Sequence, residues 1–152
     1  MTLRANQLAT LAAAIERVRR FDTPADTGLS AFFRAHPAMG QRDRAFVADG
    51  VFALLRRQRS LEALAESQEP RRLALAVVVR ELGHSLRDLE PALNAADAVW
   101  VRAFKSRLAN PLPPAVAHDV PDWLWARLGA AYGEAGRSSL AHAWLAPAPF
   151  DL

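Results

Sequence analysis

The sequence predicts an all-α fold, a bundle of seven or eight helices, on three observations. Apolar residues recur three and four positions apart through nearly every segment, the spacing that lines them up on one side of a helix. Between these segments stand prolines, glycines and small polar residues of the kind that start and stop helices. No alternating, strand-like pattern of any length precedes Phe150.

Taken in order, Leu3, Leu8, Leu11, Ile15 and Val18 place an amphipathic helix within 2–21, with Arg4, Glu16, Arg17, Arg19 and Arg20 mostly off its apolar stripe. A turn-rich run over 22–28 follows. A short helix through Leu29, Phe32 and Phe33 ends near His36, because the residue before a proline, here Pro37, is pushed out of the helical region. Gly40 breaks the chain again. Over 42–58, Phe46, Val47, Val51, Leu54 and Leu55 form a face broad enough for a central helix. Gly50 lies within it, and since glycine is about 1 kcal/mol worse than alanine in a helix, its presence predicts a close crossing by another helix. Ser60 is placed to cap a short helix through Leu61 and Leu64. Pro70 suits the first turn of a helix over 71–82, whose apolar run 73–79 marks it as core, and Gly83 supplies its left-handed end.

Ser85 with Asp88, and Asn94 with Asp97, read as capping boxes with aspartate in place of glutamate, the second leading into Val99, Trp100, Val101, Phe104 and Leu108. Asn110-Pro111-Leu112-Pro113-Pro114 then forbids regular structure and divides the chain into a helical domain over 1–109 and a helical extension over 110–152. In the extension, Pro121 opens a helix through Trp123, Leu124, Leu128 and Tyr132 that Gly133 closes. Ser138 or Ser139 starts the last helix, through Leu140, Trp144 and Leu145. Trp100, Trp123 and Trp144 fall on apolar stripes and are expected in the core. Trp125, two residues from Trp123, points to another face and is the candidate interface anchor, together with Phe150 and Leu152.

Composition narrows the chemistry. With 152 residues the chain can bury roughly two-thirds of its unfolded surface without a staple. Cysteine is absent, so disulfides, thiolate metal ligands and cysteine nucleophiles are excluded, and the chain fits a reducing cytoplasm. The longest apolar run is far too short for a bilayer span, so no membrane partner is expected. His36, His84, His118 and His142 show no pair at the spacing of a helical metal site, and no glycine-rich turn between strand and helix offers a cofactor cradle. Neither catalytic, metal nor cofactor-binding residues are expected within the chain.

The basic residues are almost all arginine: Lys105 is the one lysine among 19 cations, against 16 carboxylates. Guanidinium groups grip phosphate bidentately and stack on bases, which suits RNA. Arg19 and Arg20 end the first helix, and Arg56, Arg57 and Arg59 end the central one. Gathered on one side, these five would form a phosphate-binding patch. The competing reading makes them partners of helix dipoles and of Glu16, Glu62 and Glu66.

The segment 43–57, DRAFVADGVFALLRR, resembles the central helix of NusB-like domains, and Ser60-Leu61-Glu62 with 70–82 is similar to the two helices that follow it there. At the far end, Asp119-Val120-Pro121-Asp122-Trp123-Leu124, Tyr132-Gly133, Leu140 and Ala148-Pro149-Phe150-Asp151-Leu152 resemble in their order the joint at which a NusB-like domain leads into the catalytic part of RsmB-like (Sun/Fmu-type) rRNA cytosine-5 methyltransferases. The resemblance implies a NusB-like bundle that docks RNA, ribosomal RNA above all, in the cytoplasm. It further implies an RNA-binding subdomain and a C-terminal catalytic domain beyond residue 152, the latter binding S-adenosylmethionine and supplying the cysteines that methyl transfer needs. The chain departs from these relatives in its opening helix, where only Arg4 stands in place of a basic run, and over 85–108, where their Asn-Gly-Val turn is missing. A protein-interaction or intramolecular scaffold module without direct RNA contact is the alternative.

Overall fold

The computed structural model describes residues 2–146, and among these every regular element is helical. The helices are α1 (Ala5–Val18), α2 (Ala25–Ala35), α3 (Gln41–Arg56), α4 (Gln58–Ala65), α5 (Pro70–Arg80), α6 (Leu86–Leu89), α7 (Ala95–Arg107), α8 (Pro114–Ala117) and α9 (Asp122–Leu145). A 3-10 turn, Glu90–Ala92, joins α6 to the approach to α7. Counting α9 as the two helices that meet at Gly133, eight among the described residues are longer than two turns, in agreement with the bundle of seven or eight.

Helix α5 sits at the centre. Leu73 through Val79 are seven consecutive buried residues, which only a helix enclosed on all sides can accommodate, and α1, α3, α4 and α7 pack around it. Helices α1 and α3 run side by side in the same direction: Arg4 and Gln7 both reach Asp43, and further along Leu11 lies over Gly50. A methyl group at Gly50 would stand 2.7 Å from Leu11 Cδ1, so the glycine does mark a close helix crossing. The parallel course carries the C-terminal ends of both helices toward α4, where Arg19 meets Glu62.

Both capping boxes form. Ser85 Oγ accepts from the Asp88 N–H, and Asn94 Oδ1 accepts from the Asp97 N–H, each satisfying a donor that a helix start leaves open. Ser60 does not cap α4. The helix begins two residues earlier, at Gln58, and Ser60 lies inside its first turn, wholly buried.

A second, smaller apolar cluster lies beyond the proline-rich joint. Leu112 still packs on the first cluster, whereas Ala115, Val120, Trp125, Leu128 and Ala141 make up the second. Gly133 adopts φ 71° and ψ 179°, a conformation that only glycine enters readily, and the chain turns back there. The last helix therefore starts at Glu134, directly after the break, rather than at Ser138 or Ser139. Trp125 and Arg137, which twelve residues of straight helix would hold about 18 Å apart, touch at 4.5 Å from guanidinium carbon to ring centre.

Candidate nucleic-acid interface

The parallel course of α1 and α3 brings the five candidate arginines around α4, but in two different states. Arg19 is committed to the fold: its guanidinium donates to Glu62 Oε1 and to the Gln68 carbonyl, each at 2.7 Å. Arg59 is also held, donating to the Val120 carbonyl and to Asp122 Oδ1, the latter at 3.1 Å. Arg20 and Arg56 are exposed and Arg57 half-buried, and none of these three side chains has a hydrogen-bond or ion-pair partner among the described residues. The structure thus splits the cluster: two arginines are structural, and three remain available to an anion.

Arg59 belongs to an interlock between the bundle and the extension. Asp119 Oδ1 accepts from the backbone N–H of Ser60, and Asp119 Oδ2 accepts from the Ser60 hydroxyl, both at 2.8 Å. The Ser60 Oγ in turn accepts from Arg80 at 2.7 Å. The N–H of a residue in the first turn of a helix has no intrahelical partner, so Asp119 acts as the cap of α4 from 59 residues away. Its backbone takes φ 55°, a left-handed setting that aspartate tolerates better than most side chains.

A second buried carboxylate ties α5 to α7. Asp97, 3 % exposed at its side chain, receives Arg71 through two nitrogens and Arg72 through one. Burial pushes its carboxyl up, but the hydrogen bond and charge of Arg71, the Asn94 N–H and the charge of Arg72 outweigh that, and the net direction is down. Arg71 and Arg72, which open α5, are therefore partners of Asp97. Above them Trp100 lies half-buried, stacked on Phe104 at 5.1 Å and flanked by the guanidinium groups of Arg72 and Arg107.

The tryptophans of α9 are placed the other way round from the sequence expectation. Trp125, the expected exposed anchor, is 9 % exposed, stacked against the His118 ring at 5.0 Å and covered by Arg137. Trp123 and Trp144, expected in the core, are 64 % and 54 % exposed. Trp123 and Trp125 are separated by about 200° around the helix, so only one of them can face the bundle. The helix starts at Asp122 and carries Leu128 on the inner side, and that register turns Trp125 inward. Phe150 and Leu152 lie outside the described residues.

No cluster of His, Asp or Glu suited to a metal ion occurs among the described residues, and no helix among them is long and apolar enough to cross a membrane. Compared with protein-family models, with curated proteins and with solved structures, the chain finds no match.

Proposed function

We propose that this chain is a non-catalytic helical domain that docks structured RNA, ribosomal RNA in particular, for a cytosine-5 methyltransferase of the RsmB-like class acting in the cytoplasm. The observation that carries this reading is the interlock. Two of the stretches in which the resemblance resides, Ser60-Leu61-Glu62 at the start of α4 and the Asp119 to Leu124 motif, are clamped together by Ser60–Asp119 and Arg59–Asp122. They act as one unit, as a docking domain continuous with a joint requires. Methyl transfer to C5 of cytosine proceeds through a thiolate that adds to the ring, and a chain without cysteine leaves that step, and the binding of S-adenosylmethionine, to another domain. Titrating the chain into a fluorescently labelled ribosomal RNA hairpin at several salt concentrations tests the reading. Affinity should fall steeply as salt rises, since each phosphate contact releases counterions.

A second reading has its own observation. Trp123, Tyr132 and Trp144 are all exposed on α9, and aromatic side chains of this kind anchor protein interfaces. A protein-interaction or intramolecular scaffold module would show no salt-dependent RNA affinity and would lose its partner on substitution of Trp123 and Trp144.

A further inference from the structure

The groove between α6 and α7 has a volume of about 350 Å³ and belongs to neither the interlock nor the five arginines considered above. Leu93 and Ala98 form part of its apolar floor, and Arg87 and Arg102 stand on its walls. Both arginines are exposed, and neither has a carboxylate or hydrogen-bond partner among the described residues. Arg71, Arg72 and Arg107, by contrast, are all paired on the neighbouring surface. Two guanidinium groups unpaired among the described residues face a single lining carboxylate, Glu90, so the groove keeps a net positive charge beside its apolar floor.

Polar groups in the groove narrow the ligand. Asn94 uses Oδ1 to cap α7, which leaves its amide N–H groups to donate, and Glu90 offers a carboxylate that has no partner among the described residues. A free phosphate has no use for an acceptor or an apolar floor. A nucleotide uses all of them: phosphate on the arginines, base against Leu93 and Ala98, an exocyclic amino group on Glu90 and a carbonyl or ring nitrogen on Asn94. We infer that the α6–α7 groove holds a nucleotide of a single-stranded RNA segment, with Arg87 and Arg102 on its flanking phosphates. This rests on the RNA-docking reading and moves its principal contact away from the α4 end of the bundle. Lys105, three residues from Arg102 on the exposed side of α7, extends the track.

The test compares two double variants of the whole chain, Arg87→Ala with Arg102→Ala and Arg56→Ala with Arg57→Ala, by fluorescence anisotropy with a labelled single-stranded RNA 12-mer of mixed sequence. Circular dichroism melts verify that both fold. The groove variant should bind at least tenfold more weakly, and its plot of log affinity against log salt should flatten by about 1.4, at roughly 0.7 for each single-strand phosphate that is no longer neutralised. The Arg56/Arg57 variant should lose less affinity than the groove variant, and an equal or greater loss would return the principal contact to the α4 end. Glu90→Ala should weaken binding to a cytosine-rich strand more than to a uracil-rich one, because uracil lacks an exocyclic amino group. If the parent binds RNA and the groove variant binds equally well, the groove assignment is wrong while RNA docking stands. If the parent binds the ribosomal RNA hairpin but not the 12-mer, the groove assignment is likewise wrong while RNA docking stands; if it binds neither with salt dependence, or takes up only an acidic peptide at the groove, both are overturned.

Discussion

Ser60 and Asp119, 59 positions apart, share two hydrogen bonds of 2.8 Å, and through them the extension caps a helix of the bundle. A serine of the first helical turn thus has its open N–H satisfied by a distant carboxylate rather than by a neighbour. Around the pair, Arg80 donates to the same serine, and Arg59 holds the chain on either side of Pro121 through Val120 and Asp122. The joint after the proline-rich segment is a polar clamp with a small apolar cluster behind it.

Removing the carboxylate should loosen that clamp. Asp119→Ala leaves the buried Ser60 N–H without its acceptor, at about 1–3 kcal/mol for an unsatisfied buried group, turns the Ser60 hydroxyl to the Arg57 carbonyl at 3.2 Å, and adds the strain of a left-handed alanine. Asp119→Asn keeps an acceptor and tolerates the same backbone setting, so it should lose less than half as much. Urea unfolding of the two variants measures this. Equal stability of Asp119→Ala and the parent would show that the clamp contributes nothing.

Local devices in this fold are legible in the sequence and distant ones are not. The capping boxes at Ser85 and Asn94 and the seven buried residues of α5 are written in adjacent or near-adjacent positions, and both boxes and the buried core helix α5 form as read. Ser60 carries the chemistry of a cap, but nothing near it in sequence reveals that its partner is Asp119. For the arginines, sequence shows where the charges are and not where the carboxylates fold to, so Arg19 and Arg59 look as available as Arg20 and Arg56. The tryptophans of α9 turn on register alone. Leu128, three residues after Trp125, points to the inner face, and that pairing is the signal in the sequence that identifies the buried tryptophan.

Acid should reveal the Asp97 pair. The carboxyl of Asp97 is lowered in the folded state, so the stability it contributes is fully present above the unfolded value of about 3.9 and is lost as pH falls through the folded one. Asp22, lowered by its hydrogen bond from Arg17, and Asp88, lowered by the Ser85 hydroxyl, add to the same acid limb, so the comparison must be with a variant. Asp97→Asn should be less stable than the parent at pH 7, and the difference should shrink toward pH 2. Because Arg71 and Arg72 keep partial access to water, the loss at pH 7 should be about 3 kcal/mol, the low end for breaking a buried pair. A difference that is constant with pH would assign the role of Asp97 to capping alone.

The α1–α3 crossing makes a signed prediction. Alanine at Gly50 gains about 1 kcal/mol of helix propensity, but its methyl group meets the wholly buried Leu11 at 2.7 Å. Overpacking of this kind costs about 1–3 kcal/mol, so Gly50→Ala should be net destabilising despite the better helix former. Leu11→Ala opens the same space, and the two substitutions together should destabilise less than the sum of their separate effects. Strict additivity in thermal melts would mean that the crossing relaxes without strain.

Gly133 decides whether α9 is one helix or two. Its φ of 71° with ψ of 179° lies in territory essentially confined to glycine, and any side chain there costs on the order of 1–3 kcal/mol. Ala130, Ala131, Glu134 and Ala135 beside it are good helix formers, so the chain has an escape: Gly133→Ala can straighten α9 into a continuous helix. Straightening would carry Arg137 away from Trp125 and Ala141 away from Leu128, dismantling the second apolar cluster while the first stays whole. The expected signature is local. Acrylamide should quench more of the tryptophan fluorescence as Trp125 joins Trp123 and Trp144 in water, while the helical circular dichroism signal holds or rises. In a variant lacking Trp100, Trp123 and Trp144, Trp125 reports alone. If its quenching is unchanged by Gly133→Ala, the fold-back survives the strain, held by the packing of Trp125 against His118 rather than by the glycine.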